Sequence, residues 1–123
     1  QFMKDAGVFI GWGPSLPGRE RKSVELFVET MRYFMSLVAE GRLISVEPVF
    51  LEPHGGDLEG FIFIRGEEDE INRLRTEEEV RRLMVKAGVI LQNLRVVGAV
   101  TGSGLNQHLQ WYLQAIRQAS RRS

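Results

Sequence analysis

Gly60-Phe61-Ile62-Phe63-Ile64-Arg65 is apolar on both of the faces that an extended chain presents. Successive side chains of a strand point to opposite sides. Phe61, Phe63 and Arg65 therefore share one face, and Ile62 and Ile64 the other. A strand with one face in solvent alternates apolar with polar residues, and this one does not. Two other segments behave alike. In residues 7–12, Val8, Ile10 and Trp12 oppose Phe9; in residues 94–101, Val96 and Val100 oppose Val97 and Ala99. A sheet built from these strands needs cover on both sides.

The intervening segments supply one cover. Residues 13–18 (Gly-Pro-Ser-Leu-Pro-Gly) cannot continue a ladder. A helix over 19–40 follows, with Val24, Phe27, Val28, Met31, Phe34, Met35 and Val38 as its buried face. Leu26, Tyr33 and Leu37 widen that face, and Gly41 stops the helix. Residues 43–51 read as a second strand, with Pro48 marking an edge or a bulge. The Pro/Gly loop 52–57 leads into the strand at 60–65, so the two form a hairpin. A short helix over 67–75 begins with acids, which suit the helix dipole. Thr76-Glu77-Glu78-Glu79 has the spacing of a capping box, with Thr76 as N-cap. The helix it opens carries Val80, Leu83, Met84, Ala87 and Leu91 on one face. After the strand at 94–101 comes a last amphipathic helix over 105–119, with a stripe of Leu105, Leu109, Leu113 and Ile116.

The order β-α-β-β-α-β plus a C-terminal helix is the split βαβ, or ferredoxin-like, α+β arrangement. One domain over 1–123 is expected, with its core at about 6–101. The helices cover one face of a four-stranded antiparallel sheet. A second copy placed face to face is the simplest cover for the other, so a homodimer is expected.

Composition narrows the classes. The 123 residues include no cysteine, which excludes disulfides, Cys-ligated metal and a thiol nucleophile. Two histidines without metal-ligand spacing argue against a metal site, and no cofactor is expected. No apolar run approaches the ~20 residues that span a bilayer, and no signal-peptide pattern opens the chain. A cytoplasmic location without membrane contact is the expectation. The chain opens on Gln1 rather than Met, which leaves room for residues upstream. Net charge is 0, but residues 1–79 hold all 16 acids and 9 bases (−7), and residues 80–123 hold 7 bases and no acid (+7). This balance, and acids on either side of the Phe61/Phe63 strand, argue against nucleic-acid binding.

The chain resembles the dimeric α/β barrel superfamily. The resemblance runs through Gly18-Arg19-Glu20, Glu40-Gly41-Arg42-Leu43, Ser45-Val46-Glu47-Pro48, Gly55-Gly56-Asp57-Leu58-Glu59-Gly60-Phe61 and Val96-Val97-Gly98-Ala99. Within the superfamily it is similar to uncharacterised proteins near the YCII-related group. The resemblance implies two ferredoxin-like subunits that pack their sheets into a barrel. The superfamily includes cofactor-free monooxygenases, haem-degrading enzymes, chlorite-dismutase-like proteins and ligand-sensing domains, among which fold does not choose. YCII-related proteins carry a proposed His–Asp pair, which implies a catalytic role for His54 and Asp57.

The residues offer their own candidates. His54 beside Asp57 is a general-base pattern, or else a solvated turn. Glu47 and Arg65 share the Phe61/Phe63 face on neighbouring strands; paired there, they would hold a polar ligand or serve as a structural ion pair. Trp12, Phe27, Tyr33, Phe61 and Phe63 would wall an apolar pocket or simply fill the core. His108 and Tyr112, at i and i+4 on the last helix, would line a pocket mouth or a packing rim. Arg19, Arg21 and Lys22 at a helix start suit an anion, or solvent. Two functions are thus open: a small-molecule-binding protein or small cofactor-independent enzyme, and a non-catalytic dimeric interaction module.

Overall fold

A computed structural model describes residues 4–122. The elements run β1 (Asp5–Trp12), α1 (Glu20–Ala39), β2 (Ser45–Phe50), β3 (Gly60–Glu67), α2 (Glu68–Thr76), α3 (Glu78–Ile90), β4 (Arg95–Ala99) and α4 (Gly104–Arg122). The four strands form one antiparallel sheet in the order β2-β3-β1-β4. This is the ferredoxin-like order, with β1 and β3 in the centre.

The register sorts the faces as the alternation requires. Val8 sits opposite Ile64, and Ile10 opposite Ile62. All four are buried beneath the helices with Phe34, Leu37 and Leu74. Leu26, Leu83 and Ala87 continue the core where α1 meets α3. On the other face Phe9 stacks on Phe61, ring centroids 4.9 Å apart. Phe63 lies over Gly7: a Cβ there would come within 2.8 Å of its Cζ. The glycines of β1 thus make room for flat rings from neighbouring positions.

Three local expectations give way. The buried face of α1 is Leu26, Thr30, Phe34 and Leu37, whereas Val24, Val28 and Met35 are exposed. The helix is apolar on more than one side, and the hydroxyl-bearing Thr30 is buried between Leu26, which meets α3, and Phe34, which meets the sheet. Thr76 does not cap α3. Its hydroxyl donates to the Arg73 carbonyl (2.9 Å), closing α2, and Glu77 takes the extended N-cap position with no side-chain cap bond. The stripe of α4 docks on no element of its own subunit: Leu105, Leu109, Leu113 and Ile116 are all exposed. Gly41 does end α1, in the left-handed region at φ 79°, where a side chain is strained.

Candidate functional site

An aromatic-walled concavity lies at the end of the sheet where β1 stops. Gly13 leaves the ladder and donates to the Gln92 carbonyl (2.8 Å), while Leu16 donates to the Ile90 carbonyl (2.8 Å). These bonds fasten the β1–α1 connection to the end of α3. The Trp12 carbonyl accepts from the Glu59 N–H (2.8 Å), which fixes the base of the β2–β3 hairpin. Between these anchors opens a cleft of about 330 Å³. Ile10, Ile62 and Met84 line it together with the rings of Trp12, Phe27 and Phe50. The three rings pack on one another at centroid distances of 5.0 to 6.1 Å, mostly edge to face.

Few polar groups reach this space. The Ser15 hydroxyl donates to the Ser23 hydroxyl (2.9 Å), which donates in turn to the Glu20 carbonyl (2.7 Å). Ser15 and Ser23 line the cleft together with Glu59 and the buried Thr30. An apolar cavity with a few hydrogen-bonding groups suits a small organic molecule.

The residues singled out in the sequence are divided among separate places. Trp12 lines the cleft; Glu47, Phe63, Arg65, His54, His108 and Tyr112 do not. Glu47, Phe63 and Arg65 share the helix-free face, but Glu47 and Arg65 do not pair. Glu47 sits opposite Phe63, and Arg65 opposite Ser45 on one side and Gly7 on the other. Arg65 reaches past the side-chain-free Gly7 to Asp5 (3.5 Å). Its Nε is buried with no partner among the described residues. His54 and Asp57 likewise turn to different partners. The His54 Nδ1 accepts from the Gly56 N–H (3.2 Å), and its Nε2 faces the Leu58 carbonyl (2.8 Å), so the ring stabilises its own loop. Asp57 accepts from Arg95 (2.7 Å) and Asn93 (2.5 Å), and these bonds hold its carboxyl below the usual range. That bridge ties the hairpin loop to the α3–β4 turn, where Asn93 takes a positive φ of 51°. His108 and Tyr112 are exposed on α4.

A polar cluster gathers away from the cleft, at the C-terminal end of α1; of its members only Tyr33 was a sequence candidate, and there as the wall of an apolar pocket. Arg42, just after α1, donates to Glu70 of α2 (2.5 Å) and to Glu77 at the α2–α3 junction. The Tyr33 hydroxyl donates to the other oxygen of Glu77 (2.7 Å). Burial pushes the Glu77 carboxyl up, but the bonds from Tyr33 and Arg42 outweigh it and hold the group below its usual value. Burial and the Glu77 hydrogen bond push the Tyr33 phenol up to about 12. Hydrogen bonds to Glu70 and Glu77 hold Arg42 more firmly protonated still. The partners lie far apart in the chain, so no local spacing marks them.

The raised phenol has a measurable consequence. A group whose folded pKa lies above its unfolded value stabilises fully below the unfolded pKa and loses that contribution through the folded one. For Tyr33 the window runs from pH 10.0 to about 12. Wild type should exceed Tyr33→Phe in stability at pH 8, and the gap should close across that window. Denaturant unfolding at both ends checks this; a constant gap would show that the bond to Glu77 contributes nothing.

The sheet order and the helices on one face define a ferredoxin-like protein. The chain is similar to a solved dimeric protein of unknown function and ferredoxin-like fold from Bacteroides fragilis NCTC 9343. Identity is 9%, the TM-score is 0.58, and the match covers 81% of this chain and 100% of that one. No protein-family model and no curated protein matches the chain. These comparisons bear on the fold and do not reach the YCII-related group.

Proposed function

We propose that the chain forms a homodimeric protein that binds a small, largely apolar molecule in the Trp12 cleft. The observation that carries this reading is the cleft itself, about 330 Å³ walled by three aromatic rings and edged by two hydroxyls. Its volume lies at the small end of known ligand pockets, roughly 300–1,000 Å³. The fitting ligand is a single-ring aromatic or a short aliphatic chain, with one hydrogen-bonding group turned to Ser15 and Ser23. The homodimer draws support from the doubly apolar sheet and from the dimeric structural neighbour.

Trp12 and Trp111 are the two tryptophans, so a Trp111→Phe background makes fluorescence report the cleft. Titration with 4-nitrophenol, a single-ring probe that absorbs where tryptophan emits, should give saturable quenching of Trp12. Ala87, which lines the cleft, is the place to fill it. Ala87→Leu should weaken binding at least about tenfold, or ~1.4 kcal/mol. Quenching that never saturates, or equal affinity in the filled variant, would remove the cleft from consideration.

A second reading, a non-catalytic dimeric interaction module, is favoured by the aromatic helix-free face. Phe9 stacks there on Phe61, Phe63 lies over the Gly7 backbone, and none of the three lines the Trp12 cleft.

A further inference from the structure

We infer that α4 is an exchanged arm: it crosses to a second copy of the chain and lies over that copy's helix-free sheet face, while the partner's arm does the same in return. The inference rests on the homodimer proposed above and is independent of the cleft.

Four observations lead there. First, α4 has a continuous apolar stripe with nothing on it. Leu105, Leu109, Leu113 and Ile116 recur at helical spacing and are 45–55% exposed. Most of the stability of a helix in a protein comes from packing its amphipathic face. Among the described residues no strand or helix packs along α4. At its root Ser103 accepts from the Asp5 N–H (2.9 Å), and two turns further on Lys4 lies 5.9 Å over the Trp111 ring, off the Leu stripe.

Second, the sheet face is the matching vacancy. Phe9, Phe61 and Phe63 lie on it only partly covered, and Val97, opposite Phe9, is 51% exposed. A stripe of leucines over aromatic rings buries both, and twofold symmetry buries both pairs at once.

Third, the dimensions agree. Nineteen helical residues extend about 28 Å at ~1.5 Å each. Four strands spaced ~4.8 Å apart span roughly 15–20 Å. The arm therefore reaches across the whole sheet.

Fourth, the charges are complementary. The face carries Asp5, Glu47, Glu67, Arg65 and Arg95 by register. Its two arginines are engaged by Asp5 and Asp57, whereas Glu47 and Glu67 make no ion pair among the described residues. On α4, Arg117 flanks the stripe and Arg121 follows a turn later, both likewise without an ion pair. A basic helix over a face with spare carboxylates favours this occupant over an acidic or neutral one.

The absence of cysteine makes the test clean. Full-length Val97→Cys and Leu109→Cys are mixed, left to exchange subunits, and treated with a short bismaleimide. An exchanged arm gives a covalent dimer in the mixture well above either variant alone. Self-linking of Val97→Cys alone, with no gain on mixing, would mean sheet-to-sheet packing and overturn the arm. No covalent dimer in a sample that sediments as a dimer would also overturn the arm but leave the homodimer standing. A wild-type monomer would overturn both. The double variant Leu109→Asp/Leu113→Asp changes side chains that the subunit fold does not bury. It should weaken dimerisation at least about 100-fold by sedimentation; an unchanged dimer would count against the arm.

Discussion

Arg42→Met is expected to lower stability by about 1–3 kcal/mol at neutral pH and to move acid unfolding to higher pH. Exposed ion pairs contribute roughly 0–1 kcal/mol, and breaking a buried pair costs about 3–5 kcal/mol. The Arg42 side chain and both its carboxylate partners are 21–23% exposed, so an intermediate cost is appropriate. The pH effect follows from the sign of the Glu77 shift. Its folded pKa is held below the usual glutamate value by the bonds from Tyr33 and Arg42. The group therefore stabilises above its unfolded pKa, and that contribution is lost as pH falls through the folded value. Without Arg42, burial remains and one of the two opposing bonds is gone, so the carboxyl protonates earlier. Denaturant unfolding at pH 7 together with an acid titration followed by circular dichroism measures both parts. An unaltered acid midpoint would show that Arg42 does not set the Glu77 charge.

Phe34→Ala should be the most damaging single substitution in the core, at about 3–5 kcal/mol. Phe34 is fully buried between α1 and the sheet, among Val8, Ile10, Ile64 and Leu74. Its ring abuts Tyr33, with centroids 5.7 Å apart, so the cavity opens beside the Tyr33–Glu77 bond. The melting temperature should fall by roughly 10–20 °C. Phe34→Leu, which keeps most of the volume, should recover more than half of the loss. Thermal unfolding of the three proteins decides this; a small loss for the alanine would mean that the site collapses around the gap.

The layered architecture was readable because strand parity is rigid. Phe61 and Ile62 must face opposite ways, and both are apolar, so both sides of the sheet need cover whatever surrounds them. Helix faces are less constrained. On α1 the stripe through Val24, Val28 and Met35 is as apolar as the one through Leu26, Phe34 and Leu37, and only packing on the sheet and on α3 selects the second. Thr76 matched a capping pattern but lies where one helix ends as the next begins, and its hydroxyl serves the earlier helix. Trp12 and Phe27 carried an apolar signal that the cleft uses. Glu47 and Arg65 were brought to the same face but not into contact, because Asp5 competes for the guanidinium. Of the Tyr33–Glu77–Arg42–Glu70 cluster only Tyr33 stood out, and as an apolar wall, since its polar partners come from α2 and from the segments after α1 and between α2 and α3, far apart in the chain.

The central position of β1 also bears on how the chain finds its fold. β1 pairs only with segments far along the chain: Val8 must meet Ile64 on one side and Gly98 on the other. The β2–β3 hairpin closes locally, but the centre of the sheet closes only across most of the chain's length. Loop-closure entropy then opposes the decisive step, and pairing of this kind is slow compared with helix formation. Until it happens, Val8-Phe9-Ile10 is an unpaired apolar strand open to association with the same segment of another molecule. Refolding yield should therefore fall as protein concentration rises, even where the finished fold is stable.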